Sequence, residues 1–198
     1  EELLELGIKE AEYDAYLIDI GELSELSYVK ESGDTLCIGA LTTHRTIETD
    51  ATVRSGYPLL AEAFHRVGTI RIRNQGTIGG NLCFAEPAAD PPAALTAMEA
   101  ELVLRKKGGE RTVSISDFFT DYYETCVEPD ELLTEVSFPI LGEGWRTAFL
   151  EFSRRVGDFA LVGVAAAARR GGVAEHLRRL FTLIAVLLAL RLANFVWT

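Results

Sequence analysis

The chain has 198 residues, of which 48% are hydrophobic and 25% charged, with a formal net charge of −11. Such a composition belongs to a globular protein, and the acidity excludes a nucleic-acid partner, which would need a basic stripe against the phosphates. Cys37, Cys83 and Cys126 are odd in number and too far apart for a zinc set or a disulfide framework, which points to a reducing, cytoplasmic setting.

In chain order, Tyr16 to Ile20 (YLIDI) reads as a short buried strand closed by Gly21. Tyr28 to Lys30 and Thr35 to Gly39 read as two strands about the turn Ser32-Gly33-Asp34. Thr46 is placed to cap a short helix reaching Asp50. Pro58 to Phe64 opens another, with proline in its first turn and an end near Gly68. The stretch RNQGTIGGNL, residues 73 to 82, follows. It is either a tight turn or an anion cradle. In a cradle, backbone N–H groups at Gly79 and Gly80 close on phosphate oxygens, and the Thr77 hydroxyl and Asn81 amide add donors. Its G-x-x-G-G spacing is neither the dinucleotide fingerprint nor a P-loop.

Asp90-Pro91-Pro92 starts an alanine-rich helix with Asp90 at the N-cap. Glu101 to Lys106 and Arg111 to Ile115 form a hairpin about Gly108-Gly109. Asp117 to Phe119 is briefly helical, Leu132 to Pro139 is a strand, and Phe149 to Arg155 and Leu161 to Arg169 are two more. Helices mix with strands early and strands dominate late, so the class is α+β, or mixed α/β. Residues 174 to 198 change character. Leu180 to Trp197 is apolar except for Thr182, Arg191 and Asn194. Its length suffices for a bilayer, but an internal arginine costs about 2.5–3.5 kcal/mol on insertion scales. A helix buried against the domain, or an end foreign to it, is the preferred reading, and no membrane partner is expected.

Taken together, IRNQGTIGGNLCFAEPAADPPAALTAMEAELVLR, YLIDIGELSEL and LCIGALTTHRTIE resemble the FAD-binding domain of the molybdenum hydroxylases. That domain is the medium, flavin-carrying subunit of carbon monoxide dehydrogenase and of the bacterial xanthine dehydrogenases. The resemblance runs from about Tyr16 to Val173, with ELLTEVSFP and FSRRVGDFALVGVAAA agreeing with later segments. It implies a para-cresol methylhydroxylase-type fold, with a small α/β subdomain and a larger one built on an antiparallel sheet. The expected divisions are a partial first FAD-binding subdomain (1–50), a second (51–140), the start of a C-terminal subdomain (141–173) and an atypical apolar tail (174–198).

The same resemblance implies that Thr77, Ile78, Gly79, Gly80 and Asn81 wrap the FAD pyrophosphate. It sets Asp90, nine residues after Asn81, near the flavin or its ribityl chain. Leu132 falls by the isoalloxazine, with Leu133 a weaker choice. No residue is expected as a proton-transfer catalyst and none as a metal ligand. Of the other residues, His44 is expected to cap or face solvent, Cys83 to fill a buried space, Arg154-Arg155 to be solvated and Tyr122-Tyr123 to pack. Three departures stand out. The family's other glycine-rich phosphate loop, of the type A-G-G-T/H-S/D-L, does not precede the segment aligned with Glu1. Glu151 stands where many members have lysine, and Ala174 to Thr198 matches no family segment. The chain is therefore read as truncated in front and atypical behind. The function implied is an electron-transfer subunit that takes electrons from partner iron–sulfur clusters and hands them from FAD to NAD or another acceptor. An iron–sulfur small subunit and a molybdopterin large subunit are the implied partners. The alternative is a non-catalytic remnant without FAD that serves as an interaction module.

Overall fold

A computed structural model describes residues 18–169. Val29–Ser32 (β1) and Thr35–Gly39 (β2) form a hairpin, turned by Gly33 at φ +61°, a left-handed position that favours glycine. Glu101–Lys106 (β3) and Gly109–Ser114 (β4) form a second hairpin, and Leu132–Pro139 (β7) lies between the two. The resulting five-stranded sheet has the order β1-β2-β7-β3-β4 and is antiparallel throughout. It runs across the boundary expected at residue 50. The register sets Leu36 opposite Phe138 and both Ile38 and Leu102 opposite Val136. With side chains alternating along each strand, this gathers one apolar face.

Helices cover that face. His44–Thr49 (α1), Ala51–Gly56 (α2) and Pro58–Arg66 (α3) follow β2, and Ile70–Gln75 (α4), Ile78–Phe84 (α5) and Asp90–Ala97 (α6) lead to β3. Pro58 takes the first turn of α3, where its missing N–H has no intrahelical partner to lose. Leu59, Leu60, Ala63 and Phe64 recur on its inner face and are fully buried with Leu36, Ile38, Leu95 and Phe138. A short helix, Ile115–Phe118 (α7), leads into the small ribbon of Phe119–Asp121 (β5) and Glu124–Thr125 (β6). Trp145–Phe152 (β8) and Val162–Arg169 (β9) make a separate hairpin that rests on α3 and α6.

Several local expectations are corrected. Ile18 to Ile20 is not a strand and Ile18 is exposed, while Tyr16 and Leu17 lie outside the described residues. Helix α1 starts at His44, not after Thr46, because the Thr43 hydroxyl accepts the Thr46 N–H at 3.1 Å. Asp50 ends that helix and caps α2 by accepting the Val53 N–H at 3.0 Å. Strand β8 begins at Trp145 and stops at Phe152, earlier at both ends than the pattern suggested. Among the described residues no helix is long and apolar enough to cross a membrane, and Leu180 to Trp197 lies outside them.

Candidate functional site

The glycine-rich segment is a helix start rather than an open loop. Thr77 caps α5 through its hydroxyl, which accepts the Gly80 N–H at 3.1 Å. The Ile78 and Gly79 N–H groups donate to the Thr42 and Ala40 carbonyls at 3.0 and 2.8 Å, and Asn81 N–H donates to the Thr77 carbonyl at 3.0 Å. The N–H groups of residues 78 to 81 are therefore already engaged by the protein, which corrects the picture of a cradle of free backbone donors.

The two glycines have different reasons. A Cβ on Gly79 would stand 2.7 Å from the Ala40 Cβ and 2.8 Å from its carbonyl oxygen, so glycine here lets α5 close on the end of β2. Gly80 is exposed, and a Cβ there would meet only the Thr77 hydroxyl, at 3.0 Å. Gly80 thus presents bare backbone to the surface, with its N–H already bonded to Thr77. Gly76, just before the cap, admits the His44 ring, which a Cβ would approach to 2.9 Å.

Among the described residues, the Asn81 Oδ1 on this helix and the His44 Nδ1, whose ring lies against Gly76, are buried with no hydrogen bond. Asp90 is the first residue of α6 and 8% exposed, and it does not act as the expected N-cap, since Ala89 holds that place and no side chain bonds the first turn. Burial pushes the Asp90 carboxyl up to about 6, the charge of Glu151 on β8 adds to the rise, and Arg66 opposes it. Leu132 opens β7 half-buried, whereas Leu133 is turned into the core at 3% exposure. A cleft of about 350 Å³ lies beyond the end of α5, between Ala85–Pro87, Pro92 and Phe119–Tyr122.

Other singled-out residues fall elsewhere. His44 is enclosed rather than solvent-facing, at 2% exposure, with its ring 5.3 Å from that of Phe64. Burial, and then the Arg73 charge, drop its pKa to about 4, so it stays neutral at physiological pH. Cys83 is exposed, not a buried filler. Tyr122 and Tyr123 are also exposed, with Tyr123 edge-on to Phe84 and bonded to Glu86. Arg154 and Arg155 are exposed as expected.

One cluster escaped the sequence reading. Arg73, 9% exposed, donates Nε–H to Glu48 Oε2 and Nη1–H to the Val67 and Gly68 carbonyls, each at 3.0 Å. The other Glu48 oxygen takes His65 at 2.7 Å and Arg45 at 3.0 Å. Burial works against ionisation of Glu48, yet the bonds from His65 and Arg45 and the Arg73 charge hold its carboxyl below the usual range. The cluster ties α1, α3 and α4 together and so fixes the approach to Thr77. Its one sequence signal was the arginine that opens the glycine-rich segment.

The family model described as the FAD binding domain in molybdopterin dehydrogenase matches residues 2–141. The chain belongs to this family. The medium chain of glyceraldehyde dehydrogenase from Sulfolobus acidocaldarius is 40% identical over 157 residues, which cover 79% of this chain and 56% of that protein. The carbon monoxide dehydrogenase medium chain of Hydrogenophaga pseudoflava is 36% identical, covering 86% and 60%. Among solved structures, carbon monoxide dehydrogenase from Hydrogenophaga pseudoflava lacking the Mo-pyranopterin moiety of its cofactor superposes with a TM-score of 0.73 at 36% identity. That match covers 75% of this chain and 52% of the other. Quinoline 2-oxidoreductase from Pseudomonas putida 86 gives 0.74 at 35% identity, covering 87% and 60%. The chain thus spans roughly half to three fifths of the relatives it matches.

Membership makes FAD the cofactor of this domain, and the residues present suit it. The buried Asn81 acceptor lacks a donor, which a flavin nucleotide carries on its ribityl hydroxyls and ring N–H. Gly80 leaves room beside the Thr77 hydroxyl for a phosphate. Among the described residues no three His, Cys, Asp or Glu side chains come together to hold a metal.

Proposed function

We propose that this chain is the FAD-carrying part of a molybdenum hydroxylase-type dehydrogenase, taking electrons from iron–sulfur clusters on a partner subunit and delivering them to NAD or another acceptor. A molybdopterin subunit is the second partner in this reading. The observation that carries it is the unpartnered Asn81 Oδ1, enclosed in α5 directly after Gly79-Gly80. A buried acceptor without a donor is costly to a folded chain and is tolerated where a ligand completes it.

Thr77 and Gly80 hold the pyrophosphate side in this reading, Asn81 turns its amide NH2 to the pyrophosphate and its buried Oδ1 to a ribityl hydroxyl, and Ile78 and Gly79 fix the helix start against Thr42 and Ala40. Asp90 and Leu132 line the flavin side. FAD, when bound, accepts electrons singly and releases them in pairs, and the protein supplies binding, orientation and electrostatics. The Thr77 hydroxyl keeps its own proton free to donate, since its oxygen already accepts from Gly80. Neutral His44 holds Gly76 in place through its backbone N–H, which donates to the Gly76 carbonyl at 2.9 Å.

The test is FAD retention by a Gly80→Val variant. An added Cβ meets only the Thr77 hydroxyl, so the circular dichroism of the fold should persist while bound flavin absorbance falls at least tenfold. Retention equal to that of the unmodified chain would remove Gly80 and Thr77 from the phosphate site.

A further inference from the structure

Gly76 is the first glycine of the segment, and its backbone does not require one. Its φ of −64° and ψ of 136° are open to any residue. Its reason is a close neighbour. A Cβ there would stand 2.9 Å from His44 Cδ2, 3.0 Å from His44 Nε2 and 3.1 Å from the Ile72 carbonyl oxygen. The His44 ring therefore takes up room that a side chain on residue 76 would need. Phe64 of α3 packs on the same ring, at 5.3 Å between centroids. His44 is 2% exposed, and its Nδ1 has no hydrogen-bond partner. An unpaired buried nitrogen costs stability, so what the ring contributes here is its shape.

That shape bears on Thr77. His44 N–H donates to the Gly76 carbonyl at 2.9 Å, and Ile78 N–H donates to the Thr42 carbonyl at 3.0 Å. Residues 42–44 and 76–78 thus meet in an antiparallel bridge that pairs Thr43 with Thr77. One side of the bridge is anchored beside β1. Thr42 Oγ1 accepts the Tyr28 N–H at 3.0 Å and donates to the Tyr28 carbonyl at 2.9 Å. The other side carries Thr77 and rests on the His44 ring through Gly76. A missing or displaced ring would move the residue next to Thr77 while the Thr42 anchor stays.

We propose that His44 is a positioning residue for FAD, its imidazole wedged against Gly76 and setting where the bridge holds the Thr77 hydroxyl. It acts through Gly76 and not by contact with the cofactor. This rests on the reading of Thr77 as part of the FAD site.

FAD is titrated into the 198-residue chain and its variants at pH 7. Quenching of flavin fluorescence gives the dissociation constant, and circular dichroism gives the melting temperature. His44→Ala removes the wedge and Gly76→Ala pushes against it, and each should weaken FAD binding about tenfold. The double variant should bind better than either, because the new Cβ fills part of the space the ring leaves, whereas independent changes would multiply to about a hundredfold. His44→Leu, of similar volume and without a nitrogen, should bind within about threefold of the unmodified chain and melt higher. With the double variant, it decides the matter if His44→Ala folds poorly. Val53→Ala, at a buried position of α2, should lower the melting temperature and leave the dissociation constant unchanged. Four results would each overturn the inference while leaving the FAD site standing: unchanged affinity in His44→Ala and Gly76→Ala, independent effects in the double variant, a loss of about tenfold in His44→Leu, or an affinity that falls with the melting temperature in Val53→Ala. Failure of the unmodified chain to bind FAD would overturn the site reading itself, and the inference with it.

Discussion

Replacing Asn81 by alanine should strengthen the free protein and weaken its hold on FAD, and the opposite signs make the experiment decisive. The Asn81 Oδ1 is buried without a partner, and an unsatisfied buried acceptor costs about 1–3 kcal/mol. Alanine is also the better residue inside α5, by about 0.5 kcal/mol. Against this, the lost packing of a small half-buried carboxamide is worth at most about 1 kcal/mol. The balance is a gain of about 1 kcal/mol, or roughly 2–4 °C in melting temperature for a chain of this size. The bond that the acceptor would make to FAD is worth about 0.5–1.5 kcal/mol, so the dissociation constant should rise by about three- to tenfold. Thermal melts without FAD and quenching of flavin fluorescence on titration measure the two effects. A lower melting temperature would mean that Asn81 already has a donor within the protein. An unchanged dissociation constant would place FAD elsewhere.

Asp90→Asn should stabilise the free chain at pH 7 by up to about 3 kcal/mol, from a shift of roughly two pH units at about 1.4 kcal/mol each. The folded chain keeps the Asp90 proton up to about pH 6, whereas the ordinary value is 3.8. Folded molecules therefore bind more protons in that window, and stability falls as pH rises through it, then levels off. Urea unfolding at pH 4 and pH 7 should show the variant's advantage only at the higher pH, and an equal advantage at both would contradict the assignment. Gly79→Ala should destabilise by about 1–3 kcal/mol through overpacking against Ala40. Its denaturation midpoint should drop while the dependence on denaturant stays constant. A midpoint unchanged from that of the original chain would show that α5 does not press on β2 in solution.

Strand β7 was legible to the residue, because Leu132 to Pro139 is an apolar, β-branched and aromatic run closed by proline, and nothing remote is needed to recognise it. The β3–β4 hairpin followed from alternation about Gly108-Gly109, and α3 from its proline start. The glycine segment with its continuation to Arg105, together with YLIDIGELSEL and LCIGALTTHRTIE, suggested the family, with FAD as its cofactor. Each of these signals lies within a window of a few residues, where turn chemistry and side-chain period act directly on the backbone.

The tertiary structure decided what each of these residues touches. Thr77 to Asn81 became a helix start because Thr42 and Ala40, some 35 to 40 positions earlier, offer carbonyls to its N–H groups. Asp90 looked like a cap by sequence, but it is buried at the start of α6, which packs on α3 and β9, and the charge of Glu151, 61 residues away in sequence, adds to the rise of its carboxyl. His44 is buried because Phe64 and Gly76 close over it, and Arg73 finds Glu48 across two helices. Burial, proton affinity and unpaired polar atoms are set by such neighbours brought together through the pairing of β2 with β7 and the packing of helices on that sheet. Local propensity acts through a residue's own backbone, whereas desolvation and charge act through space, and only the folded chain fixes those distances.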